Sequence, residues 1–156
     1  MTSLNYETIS ASFLDKITDF DIGNYEDEVV EELQLGYLKG ALGIPYVRAL
    51  FKTIQIDNDK STEGGITINY ELNVADDNTD EYFVLEVLSK AMVIKWLEPQ
   101  VKSKINIAQM FGGKEQKFYS QAQHLSELKD MLETEKISLN KLIRDRGSIF
   151  NPYLTR

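Results

Sequence analysis

Ala91-Met92-Val93-Ile94-Lys95-Trp96-Leu97-Glu98-Pro99 closes the most apolar helical segment of the chain, residues 80–99. Between positions 82 and 97 the only polar residues are Glu86, Ser89, Lys90 and Lys95. Glu86 and Lys90 are one helical turn apart and can pair, with Ser89 beside them. That leaves one narrow polar strip on an otherwise apolar cylinder, as expected of a helix enclosed by other elements. Asn78 and Glu81 have the spacing of a capping box, and Asp80 suits the positive end of the helix dipole. Pro99 lacks an N–H and clashes with the preceding turn, so the helix is expected to stop or kink near Glu98. Leu88, Met92 and Trp96 are the expected core.

Working outward, residues 5–18 carry Ile9, Phe13 and Ile17 at four-residue spacing, the pattern of a short amphipathic helix. Asn24 is placed to cap a second helix, whose acidic first turn, Glu26-Asp27-Glu28, suits the dipole. Its apolar set is Val29, Val30, Leu33, Tyr37, Leu38, Ala41 and Leu42. Gly43 and Pro45 mark its end, and Pro45 can open a further short turn through Phe51. The period then changes. Ile54 and Ile56 alternate with polar residues, and Ile66, Ile68, Tyr70, Leu72 and Val74 do so more strongly. Two half-buried strands in a hairpin follow. A lone hairpin is marginal in water, so it must lie on the helices or pair with a neighbouring chain.

Beyond the central helix, a short apolar-speckled segment ends at Gly112-Gly113, and residues 114–119 read as a charged loop. Ser120 and Gln123 form a second capping box, opening a long helix over about 121–146. Its stripe is Leu125, Leu128, Leu132, Leu139 and Leu142, with Glu135 interrupting the seam. That is better suited to packing on its own core than to a coiled coil. Gly147 is the expected end of the helix. The fold class is therefore mainly α: a small helical bundle with a central buried helix, a long C-terminal helix and an inserted β-hairpin over about 53–74. Residues 1–147 form one domain, and 148–156 a C-terminal tail.

Composition narrows the chemistry. A hydrophobic share of 42% and a charged share of 27% suit a globular domain, and 156 residues suffice for one core. With no cysteine there is neither a disulfide framework nor a thiol nucleophile. No apolar run reaches the roughly 20 residues that span a bilayer. The opening Met1-Thr2-Ser3-Leu4 lacks the basic and apolar regions of a signal peptide, so synthesis in the cytoplasm is expected. Residues 1–98 hold 19 acids and 7 bases, a net of −12, whereas 99–156 hold 6 acids and 10 bases, a net of +4. An acidic front half argues against a nucleic-acid-binding face there.

No nucleophile elbow, zinc-binding helix, phosphate loop or dinucleotide fingerprint is present. Asp57, Asp59 and Ser61 begin like a calcium loop, but Thr62 stands where glycine is needed and Ile68 where glutamate belongs. The single histidine, His124, is expected in the first turn of the long helix, with no catalytic arrangement around it. The expectation is a non-enzymatic protein without cofactor or metal. Asp57, Asp59 and Glu63 at the hairpin tip are read instead as an assembly contact. Ile149, Phe150, Tyr153 and Leu154 give the tail an apolar density that marks an interaction site, bracketed by Arg144, Arg146 and Arg156.

Four stretches together resemble a known family. They are Ser12-Phe13-Leu14-Asp15-Lys16-Ile17-Thr18, Gly36-Tyr37-Leu38-Lys39-Gly40-Ala41, residues 91–101 with Trp96-Leu97-Glu98-Pro99, and Phe118-Tyr119-Ser120-Gln121-Ala122-Gln123-His124-Leu125. This set resembles the head-to-tail connector, or neck adaptor, proteins of tailed bacteriophages. The resemblance implies a mainly helical virion protein of the neck that assembles with itself as a ring, commonly a dodecamer. It implies docking beneath the portal protein, with a tail or stopper protein below and DNA passing through without sequence-specific binding. The portal is then the expected receiver of the tail, and the acidic front half the expected border of the channel. The strong hairpin departs from the family's less regular connection at that point. The rival expectation is a helical regulatory protein acting as a monomer or dimer.

Overall fold

The computed structural model describes residues 2–17, 25–58, 65–73, 81–110 and 115–149, with side chains outside 104–110, 115–122 and 146–149. Its elements are β1 (Thr2–Asn5), α1 (Tyr6–Lys16), α2 (Asp27–Leu42), α3 (Pro45–Arg48), β2 (Phe51–Asp57), β3 (Thr67–Leu72), α4 (Glu81–Met110) and α5 (Glu115–Ile149). It is mainly helical with a small antiparallel sheet, as the sequence pattern predicts.

α4 is the centre. It packs most extensively on α5, then on α2 and α1. Val84, Val87, Leu88, Ala91, Met92 and Leu97 are wholly buried, and Trp96 is 8% exposed. The polar strip is divided between neighbours. Ser12 of α1 donates from Oγ to Ser89 Oγ at 3.2 Å, and Ser89 Oγ donates to the Leu85 carbonyl at 2.7 Å. Glu86 pairs with Lys16 at 3.1 Å and not with Lys90, which instead donates to Ser138 Oγ of α5 at 2.9 Å. Few of the strip's polar groups are left to water, which is how one helix can be enclosed on several sides.

Pro99 neither stops α4 nor marks its end: the helix runs on to Met110. An internal proline costs about 3 kcal/mol by losing one hydrogen bond and crowding the carbonyl four residues back. Gln100 turns its side-chain amide onto the Trp96 carbonyl at 3.3 Å, beside the carbonyl that Pro99 leaves without its usual donor. Val101, just beyond, is buried. Continued packing on α5 outweighs the local penalty.

α5 also exceeds its expected bounds at both ends. Residues 115–119 are helical where a charged loop is expected, Ser120 lies inside the helix, and Gly147 is followed by two more helical residues. A capping box inside a helix has no free backbone N–H to serve, so the surrounding helix overrides that local signal. Leu128 and Leu139 are buried, and Leu125, Leu132 and Leu142 are packed against the core. α2 starts at Asp27 with Glu26 as its cap, a little later than an Asn24 cap implies. Asn24, Asn78 and Asp80 lie outside the described residues.

The hairpin is completed from within the chain. β1 pairs antiparallel with β3, Thr2 opposite Tyr70 and Asn5 opposite Thr67, giving the order β1-β3-β2. β2 takes the other edge, Phe51 opposite Leu72 and Asp57 opposite Thr67, with one irregularity between Phe51 and Thr53. Phe51 is thus a strand residue and not part of the turn after Pro45. Ile66, Ile68, Tyr70 and Leu72 bury their shared face in the helical core. Gly65, with φ of +63°, makes the left-handed entry to β3 that a side chain would strain. The Tyr6 N–H bonds the Ile66 carbonyl at 3.0 Å, locking the start of α1 to the sheet.

Candidate assembly surfaces

α2 carries two apolar stripes on nearly opposite sides. At about 100° per residue, Leu38 lies roughly half a turn from Val29. Leu38 and Ala41 are buried against α4, where the Gly40 backbone lies so close that an added Cβ would meet the Lys95 side chain at 3.2 Å. Val29 and Leu33, members of the helically spaced apolar set, are 40% and 38% exposed, and Tyr25 one turn earlier is more exposed still. The stripe runs on to Gly36, which among the described residues has nothing within 4 Å of where a Cβ would sit. An open groove of about 630 Å³ borders it, lined by Glu28, Glu31, Glu32, Leu35, Gly36, Lys39, Asn58 and Ile66.

The inner side of α2 holds a polar cluster. Gln34 is buried, and its Oε1 accepts from the Tyr6 hydroxyl at 2.9 Å and from the Ser10 hydroxyl. Its Nε2 is buried with no hydrogen-bond partner. Burial pushes the Tyr6 phenol up to about 12; the Ser10 bond works against that, and Glu31 adds to it. Beside the cluster, a cavity of about 530 Å³ opens between α1 and α2, with Glu7, Asp27 and Glu31 on its walls.

On α5 the face turned away from the leucine seam carries Ile137, 57% exposed, with Lys141 and Arg144 one and two turns on. From Lys136 to the end of the helix the bases are Lys136, Lys141, Arg144 and Arg146 against the single acid Asp145. α2 is the opposite, with Asp27, Glu28, Glu31 and Glu32 against Lys39.

The residues expected to carry function fall unevenly. Leu88, Met92 and Trp96 are in the core. Asp57 ends β2 and is exposed, whereas Asp59 and Glu63 lie outside the described residues. Ile149 is the last residue of α5 and not part of a separate tail. Arg144 is exposed on the same helix; Arg146 is helical, and its side chain lies outside the described set. Phe150, Tyr153 and Leu154 also lie outside it. His124 is exposed and well inside α5, away from the helix end where it was expected.

Spacing alone does not say which of two apolar faces is covered, so it does not single out the outer stripe of α2. A signal existed: the apolar set of α2 is too wide for one stripe, and Gly36 sits within it at a cost in helix propensity. Among the described residues no group of acids and histidine is placed to hold a metal ion, and no helix is long and apolar enough to cross a membrane. No family model, curated protein or solved structure matches the chain.

Proposed function

We propose that this chain is a structural subunit of a phage neck, a head-to-tail connector that assembles under the portal and extends the DNA channel. The observation that carries the reading is that the stretches bearing the resemblance converge on α4. Ser12 and Lys16 of the first stretch bond Ser89 and Glu86 of α4. The Phe13 ring packs at a tilt on Tyr37 of the second, centroids 5.8 Å apart, and Gly40 of the second abuts Lys95 of the third. Leu125, at the end of the fourth, packs against the same core. Resemblance distributed over one packed framework supports a shared architecture better than an isolated motif does.

On this reading the apolar segment after α5, with Phe150 and Tyr153 as anchors, docks on the portal, and the hairpin tip near Asp57 meets a neighbouring protein. Electron microscopy of the purified chain, together with antibody labelling of virions, tests the proposal. Rings and a labelled neck are the expected result. A monomer or dimer that is absent from virions overturns it. Removing residues 150–156 should leave thermal stability nearly intact and abolish attachment to portal-bearing heads.

A further inference from the structure

We propose that the outer face of α2 receives the outer face of α5 from a second copy of this chain, in one antiparallel register. The inference deepens the reading above by naming the contact through which subunits join.

Gly36 supplies the first argument. A glycine within an exposed helix lowers helix propensity relative to alanine. Among the described residues nothing lies within 4 Å of where its Cβ would sit, in contrast to Gly40, whose missing side chain makes room for Lys95. Among the described residues the absent side chain makes room for no neighbour. It leaves a notch on an apolar ridge, between Leu33 and the groove beside β3. Ile137, the most exposed large apolar side chain among the described residues of α5, is the matching knob.

Charge and spacing supply the second. From Gly36 toward the start of α2, Glu32 and Glu28 follow at four and eight residues. From Ile137 toward the end of α5, Lys141 and Arg144 follow at four and seven. At 1.5 Å per residue the paired distances are about 6 and 12 Å against about 6 and 10.5 Å. Laid antiparallel with Ile137 in the notch, Lys141 meets Glu32 and Arg144 meets Glu28. The acidic residues 26–32 then lie at a seam between copies and not on the channel wall, where the charge split alone would put them. The two faces differ, so each copy offers one of each, the requirement for a head-to-tail contact that closes into a ring.

The test uses the full chain and its self-association, followed by sedimentation velocity and electron microscopy. Glu28→Lys with Glu32→Lys in one variant should weaken association at least about tenfold, and Lys141→Glu with Arg144→Glu in another should do the same. Mixing the two variants should restore assembly, because every α2 face then meets an oppositely charged α5 face. Gly36→Ala gives a readout of opposite sign. It should raise Tm by about 2–4 °C through helix propensity, while weakening association. Variants that assemble alone as the wild type does, or a mixture that fails to assemble, would overturn the contact and leave the connector reading standing. Restored pairs that never exceed a dimer would uphold the contact and remove the ring. A wild-type chain that stays monomeric at every concentration overturns both.

Discussion

α4 and α2 are both rich in apolar residues, yet they spend them differently. Between Phe83 and Val101 α4 has its apolar surface covered from several sides by its own chain, with even its polar strip engaged by α1 and α5. α2 covers one side and leaves Val29 and Leu33, with Tyr25 just before it, in water beside a row of carboxylates. Covered surface stabilises the subunit, whereas uncovered surface is available to another molecule. The difference separates surface that holds this protein together from surface it leaves open to solvent.

The contrast predicts a steep gradient of mutational effect. Trp96→Ala should cost about 3–5 kcal/mol in chemical denaturation, as large core aromatics do. An unchanged denaturation midpoint would show that α4 is not the core. On the inner side of α2, Gln34→Ala leaves the buried Tyr6 hydroxyl without its acceptor and should cost about 1–3 kcal/mol. Combining Tyr6→Phe with Gln34→Leu removes both sides of that bond and should recover part of the loss; a strictly additive double variant would argue against the pairing.

The same cluster predicts a pH dependence. An unfolded tyrosine ionises near pH 10, while in the folded chain the Tyr6 phenol is pushed up to about 12. Between those values the unfolded state loses a proton that the folded state keeps. This contribution is therefore fully present below about pH 10 and is lost as pH climbs toward the folded value. Tyr46, raised by burial and by Glu98, acts in the same direction. Thermal melts of Tyr6→Phe across the alkaline range should show a shallower decline than the wild type; an identical decline would assign it to other groups. At the small end, Leu33→Ser on the outer face of α2 should change the stability of the isolated subunit by no more than about 0.5 kcal/mol. A larger loss would mean that this face is covered within the subunit.

Much of the framework was legible in the sequence because it rests on periodicity. The alternation of Ile66, Ile68, Tyr70 and Leu72 specifies a strand with one buried face, and the four-residue spacing of Ile9 and Phe13 specifies α1. The density of apolar residues before Trp96 marks the central helix. Local stop and start signals were less dependable. Pro99, Ser120 and Gly147 each announce a boundary worth a few kcal/mol at most, and each lies inside a helix whose long-range packing exceeds that.

Sequence alone, then, determined the class of fold, the identity of the core helix and the two-stranded hairpin, since hydrophobic period is a property of neighbouring residues. Tertiary structure alone decided that Thr2–Asn5 is a strand, because four residues carry no period and the strand exists only where β3 offers an open edge. It also decided that Gln34 is buried while Val29 and Leu33 are not. Helical spacing places residues on faces; which face meets protein and which meets water depends on segments far away in the chain.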